Sequence, residues 1–299
     1  MNTEKTKGHL MATFTVLVWG TTFISTKVLL KDFNPIEILF IRFVLGFIAL
    51  YIACPKPFKV KDKRQEILFA GAGLTGICLY YLLENIALTY TMASNVGVIV
   101  AISPFFTAIL SHIFLKGEDK LKPSFFIGFI FAITGISLIS FNGQSLSLNP
   151  LGDILAILAT LTWAIYSVIT RKLSVYGYNT IQMTRKMFSY GIFFMIPTLF
   201  VFDVNLDFTR FLNPINTLNI LFLSFCASAL CFVTWNFAVK TLGALKTTIY
   251  IYAMPVITIL TSVIVLKEEI TPMAMLGTIL TLMGLVISEF KFNKKRDVH

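Results

Sequence analysis

Charge is what this chain has least of. Only 13% of its 299 residues are Asp, Glu, Lys or Arg, where a soluble domain carries about a quarter. So little charge leaves apolar surface that water cannot face, and a soluble fold is excluded. Acidic residues are the scarcer sign, 15 against 25 basic. The three histidines, His9, His112 and His299, are scattered. The four cysteines, Cys54, Cys78, Cys226 and Cys231, form no Cys-x-x-Cys pair and read as buried free thiols rather than metal ligands. There is no Gly-x-x-x-x-Gly-Lys loop and no His-Glu-x-x-His, so neither nucleotide-driven nor metalloprotease chemistry is expected. No cofactor is expected either, and an enzyme would need more clustered acids or histidines than this chain offers. The net charge of +10 forms no continuous stripe and predicts no nucleic-acid partner.

What is abundant is long apolar sequence. Apolar residues make up 56% of the chain and the mean hydropathy is +0.80. A membrane span takes about 20 such residues. The runs predict helices over 10–30, 36–54, 67–90, 93–115, 123–141, 152–171, 180–202, 216–239, 245–266 and 272–290. They do not alternate as barrel strands do, and unpaired backbone groups in lipid make helices obligatory. The first run is too long for a signal core and lacks a small-residue cleavage site, so it reads as a retained helix. Asn34-Pro35, Pro123, Asn149-Pro150 and Pro272 mark helix starts, because proline in the first turn forfeits no hydrogen bond. With the N-terminus in the cytoplasm and ten crossings, 18 of the 25 basic residues fall in inner segments and only Lys31, Arg210 and Lys267 in outer loops. That asymmetry predicts both termini inside.

The chain repeats itself. Shifted by 151 residues, 84–118 matches 235–269 at ten of 35 positions, among them Asn85/Asn236, Ala93/Ala244, Pro104/Pro255, Lys116/Lys267 and Glu118/Glu269. Smaller shifts pair Trp19 with Trp163, Lys27 with Arg171, Arg42 with Arg185, Gly128 with Gly277 and Gly135 with Gly284. Two units, 10–141 and 152–290, each hold five helices. An odd number turns the second unit upside down relative to the first. Inverted repeats of this kind place a substrate site near mid-membrane between the halves.

Trp19-Gly20, Phe23, Arg42, Asn85-Ile86-Ala87-Leu88, Ala93, Pro104 and Glu118, repeated as Trp163, Arg185, Asn236-Phe237-Ala238-Val239, Ala244, Pro255 and Glu269, resemble the EamA family of the drug/metabolite transporter superfamily. The resemblance implies ten helices, cytoplasmic termini and a central cavity. It also implies carriage of a small organic metabolite across the cell membrane. Export of an amino acid or metabolite by alternating access is the first expectation, and uptake of a vitamin or cofactor-like aromatic such as riboflavin the second. Leu83-Glu84-Asn85 departs from the pattern, where an apolar or aromatic residue is more usual than Glu84.

The residues themselves suggest a site. Trp19 and Trp163 lie mid-helix, away from the interfaces where tryptophans gather, and predict two aromatic walls with Thr22 and Tyr166 on the same faces. Asn85 and Asn236 are paired amides able to hold substrate or to tie helices. Pro104 and Pro255 are expected mid-helix as hinges, with Ser103 and Tyr252 nearby. Glu84 is the one acid well inside a span. It must be neutral, paired or wet, and it is the candidate for a substrate amine or a coupling proton, with Arg42 as a possible partner. Gly128, Ala132 and Gly135 face Gly277, Thr281 and Gly284 as a close-packing seam. The remaining expected partners are the lipid bilayer and, for a homodimer rather than a monomer, a second copy of the chain.

Overall fold

A computed structural model describes residues 3–60, 62–115, 123–140, 150–202, 204 and 207–289. The matched positions Lys116 and Glu118 and the basic C-terminal residues lie outside the described residues. Those described build ten helical rods: α1 (Thr3–Leu29), α2 (Pro35–Ala53), α3 (Lys63–Tyr90), α4 (Ala93–Phe114), α5 (Pro123–Ser140), α6 (Pro150–Ser174), α7 (Thr180–Val201), α8 (Pro214–Leu242), α9 (Ala244–Val265) and α10 (Pro272–Glu289). Seven of them, α1 to α4, α6, α8 and α9, are long and apolar enough to cross a membrane. The apolar stretches of α5 and α10 are shorter, and α7 carries Arg185 and Lys186 in its second turn.

The interior and exterior are arranged for lipid. Leu17, Ile48, Ile52, Ile130, Phe193, Phe200, Leu260, Ile279 and Val286 are exposed on the outside. Arg42, Glu84, Asn85, Asn236 and Thr258 are buried inside. Water would favour the reverse. This is an all-α, multi-pass membrane protein.

Four rods are irregular, in two matched pairs. Seven residues of α3, Gly73–Leu79, and nine of α8, Phe222–Leu230, are wound as π-helix. α4 breaks at Ala101 and Ile102, and α9 passes through a 3₁₀ stretch, Ile249–Ala253. Pro104 and Pro255 therefore do not interrupt a continuous helix, as the sequence suggested. Each sits in the first turn of the segment after a break, where its missing N–H costs nothing. The carbonyl that Pro104 frees, Val100 O, accepts instead from Ser103 Oγ at 2.6 Å.

Packing between the halves is reciprocal. α1 lies on the last segment of α8, and its counterpart α6 on the last segment of α3. α1 also packs on α9 and α6 on α4; α2 meets the π stretch of α8, and α7 that of α3. α5 and α10 pair along the glycine seam. A Cβ on Gly135 would fall 2.4 Å from Gly277 O, and one on Gly284 2.4 Å from Gly128 O, so only glycine lets the two backbones approach.

Polar contacts gather the loops at two ends. At one end Arg210 grips Glu37 at 2.8 Å, Asn216 holds Asp32, and Lys27 donates to the carbonyls of Leu88 and Thr91. At the other, Arg185 donates to the carbonyls of Cys54 and Lys56, Lys186 pairs with Glu66, and His9 meets Tyr250. α1, α2 and α3 run between these two ends in alternating directions.

Candidate functional site

The site grows out of aromatic residues that helical spacing puts on facing rods. Trp19 on α1 and Trp163 on α6 meet edge to face, ring centroids 5.1 Å apart. Trp163 also packs on Tyr80 and Tyr166, each at 4.9 Å, and Trp19 on Trp235 at 5.0 Å. Phe232 touches Trp19, Tyr81, Trp163 and Tyr166 and joins the cluster at its base. Aromatic pairs at these separations and tilts are favourable beyond the area they bury.

Against this cluster lies a small chamber lined by Trp19, Thr22, Phe23, Tyr80, Tyr81, Glu84, Val100, Trp163, Ile251 and Met254. Both halves contribute walls. Its free volume is about 10 Å³, enough for a single water molecule and far below the ~300 Å³ at which ligand pockets begin. The chamber is shut. A larger groove of about 370 Å³ runs along Ile279, Leu282, Met283, Val286 and Ile287 of α10. It is open and apolar, on the lipid side, and distinct from the chamber.

Polar groups are few and specific. Trp19 Nε1 donates to Ala227 O at 2.9 Å, in the π stretch of α8. The indole N–H of Trp163 makes no hydrogen bond. Glu84 Oε1 has no hydrogen-bond partner, and Tyr80 lies one helical turn before it. Thr22 Oγ1 donates to Trp19 O within its own helix.

Of the residues picked from sequence, Trp19, Thr22, Glu84 and Trp163 line the chamber. Tyr166 stands behind Trp163, its hydroxyl donating to Asn236 Oδ1 at 2.7 Å. Asn236 Nδ2 in turn donates to Thr184 Oγ1 at 2.9 Å, tying α6, α7 and α8 together. Asn85 Nδ2 donates to Pro35 O at 3.0 Å and ties α3 to the start of α2. Ser103 serves the broken backbone of α4. Tyr252 belongs to the 3₁₀ stretch of α9, beside the lining residue Ile251. Sequence reasoning missed Phe23, Tyr80, Tyr81, Val100, Ile251 and Met254. Tyr80 and Tyr81 were findable, since they lie four and three positions before Glu84 and share its helical face.

A lipid-facing bundle with its polar groups turned inward, around a chamber walled by two like halves, is a membrane transporter. The chain belongs to the EamA-like transporter family, which matches it twice, over residues 6–141 and 150–290. It is 26% identical over 290 residues to an uncharacterized transporter of Archaeoglobus fulgidus, covering 95% of this chain and 98% of that one. It is 24% identical over 303 residues to a protein of Escherichia coli named a probable amino-acid metabolite efflux pump, covering 98% of each. A crystal structure with 17% sequence identity superposes with a TM-score of 0.68 over 95% of this chain and 98% of its own. That likeness shows the fold.

Proposed function

We propose that this transporter carries an amino acid or a closely related metabolite outward through the cell membrane by alternating access. In this reading, ten helices cross the bilayer with both termini in the cytoplasm. The units 10–141 and 152–290 are inverted copies that rock about the chamber. One observation carries the reading. The chamber is buried mid-molecule, is built from both halves, and is too small to admit any solute unless those halves move apart. The reciprocal packing of α1 on α8 and α6 on α3 supports the inverted arrangement. The name of the Escherichia coli relative supports the substrate class.

The chemistry follows from the lining. Trp19, Trp163, Tyr80 and Tyr81 offer flat apolar faces to a side chain. Glu84 offers a carboxyl group that binds an amine when ionised and carries a proton when neutral, and one residue performing both tasks in turn couples substrate exit to proton entry. The breaks in α4 and α9, just before Pro104 and Pro255, are where each rod can bend without losing an intact helical ladder.

Flux of labelled amino acids into proteoliposomes, with and without a proton gradient, tests this. The wild type should move substrate faster with an opposing gradient, and Glu84→Gln should abolish that dependence and leave only weakened, gradient-independent exchange. Gradient-driven flux unchanged in the variant removes Glu84 from coupling. No flux of any amino acid by the wild type overturns the substrate class. Uptake of riboflavin instead would mark the chain as a vitamin importer.

A further inference from the structure

Arg42 is the largest charged side chain sealed inside the bundle, with none of its surface exposed. Its Nε donates to Ser228 Oγ at 2.6 Å, but neither Nη makes a hydrogen bond. The guanidinium lies over the Tyr81 ring at 4.2 Å and the Phe43 ring at 5.2 Å. Those contacts stabilise a cation but satisfy none of its four Nη–H donors. Leaving such donors unmet in a low-dielectric interior is costly.

The internal repeat supplies a control. Arg185, the matched residue of the second half, donates both Nη groups to the carbonyls of Cys54 and Lys56 at the end of α2. Each of its Nη groups has an acceptor, and together they hold a helix terminus. The same residue type at the matched position is therefore structural in one half and left with an open fork in the other.

The open fork lies next to the chamber. Tyr81, on which Arg42 stacks, is a chamber wall. Three positions on, Glu84 presents its own unbonded Oε1 and is 1% exposed. No ion pair joins Arg42 to Glu84 among the described residues. One cationic fork with unbonded Nη groups and one carboxyl with an unbonded Oε1 flank the same aromatic wall without pairing directly with each other.

We propose that Arg42 is a substrate-binding residue that takes the carboxylate of a zwitterionic amino acid, while Glu84 takes its ammonium. A planar carboxylate matches the two Nη groups with parallel hydrogen bonds. Tyr81, lying between the guanidinium and the chamber, must swing aside as the halves part, so that Arg42 is reached only in an opened state. This deepens the amino-acid reading above and rests on it.

Counterflow in proteoliposomes tests the assignment with four probes: phenylalanine, phenylalaninamide, 3-phenylpropionate and phenethylamine. The wild type should exchange phenylalanine roughly 10- to 100-fold better than the amide or the acid, as expected for losing one charged partner. Arg42→Gln should bring phenylalanine down to the level of the amide and leave the amide unchanged. Glu84→Gln should erase the preference over 3-phenylpropionate. A purely structural arginine would lower all four probes together. Arg42→Lys and Ser228→Ala carry the same test if Arg42→Gln does not fold, since the first keeps the charge without the fork and the second releases the fork's anchor. Both should narrow the ratio of phenylalanine to amide. An active wild type whose ratio survives every Arg42 and Ser228 variant overturns the Arg42 assignment alone. A wild type that exchanges neither phenylalanine nor any other amino acid overturns it together with the amino-acid reading.

Discussion

At the residue scale the site depends on small residues as much as on large ones. A Cβ placed on Gly76 would fall 2.2 Å from the Tyr166 ring, far inside van der Waals contact. Gly76 lies in the π stretch of α3, and Tyr166 anchors Asn236 through its hydroxyl. Gly76→Ala must therefore push the ring away and break that bond. The expected loss is about 1–3 kcal/mol for overpacking, seen as a lower melting temperature in detergent. Gly76→Ala with Tyr166→Phe should cost less than the two single changes summed, since both disturb the same bond. Trp163→Ala should depress exchange strongly, because it opens the chamber floor and removes the indole N–H left unbonded. Normal kinetics for both Trp163→Ala and Trp19→Ala would show that the tryptophans do not line the path.

The tryptophans, Glu84 and the glycine seam were legible in sequence because each broke a rule. A mid-helix tryptophan, an acid within a span and small residues repeated on one face all need an explanation in lipid. Arg42 was visible too, but its meaning was not. Sequence alone cannot distinguish a guanidinium that caps a helix, as Arg185 does, from one with an open fork. Ile251, Met254 and Val100 carried no signal, since an apolar residue in an apolar helix looks the same wherever it faces. Shifting by 151 sets Tyr80, Tyr81 and Glu84 against Cys231, Phe232 and Trp235. The repeat thus predicts a shared frame but not shared chemistry, and the acid occurs in only one copy.

At the scale of elements, helix ends in one half are held by groups from the other. Glu268, just beyond α9, accepts from the backbone N–H of Ala93 at 2.9 Å and of Ser94 at 3.2 Å. It thereby caps the first turn of α4, where the helix dipole favours a negative charge. From within the same half, Lys27 of α1 donates to the carbonyls ending α3, two residues before that cap. Together they clamp the α3–α4 corner from both sides, and α9 must release Ala93 and Ser94 for the halves to part at this end. Glu268→Gln keeps an acceptor but removes the charge, whereas Glu268→Ala removes both. Substituted-cysteine accessibility at Thr22 should rise from impermeant reagents in the order wild type, Gln, Ala, in a background lacking the native cysteines. Equal protection in all three would show that the cap does not hold the closed state. The boundaries of these rods were foreseen to within about three residues, except that α1 begins at Thr3 rather than 10 and α3 at Lys63 rather than 67. The π stretches were not foreseen; they lie against rods of the opposite half, which no local pattern encodes. The break in α4 falls just before Pro104, where a hinge was expected.

At the scale of the whole molecule, the polar contacts divide the loops into two sets, and the charges divide with them. The end bearing Lys56, Lys59, Arg64, Arg171, Lys172, Lys186 and Lys240 is rich in cations, while Lys27 and Arg210 at the other end are engaged with carbonyls and Glu37. Positive charge is retained on the cytoplasmic side, so the cation-rich end should face inward. The loop containing Lys59 follows two helices and the turn containing Thr209 follows seven, one even count and one odd, so inverted threading puts them on opposite sides. In a background lacking the native cysteines, Thr209→Cys should react with an impermeant maleimide in intact cells. Lys59→Cys should react only after permeabilisation. The reverse pattern would keep the threading and turn the protein over. Labelling of both from one side would mean that an odd number of the five rods between them, α3 to α7, fails to cross. The second half would then no longer be an inverted copy of the first, and a chamber shared at half depth would lose the symmetry that lets it open to each side in turn.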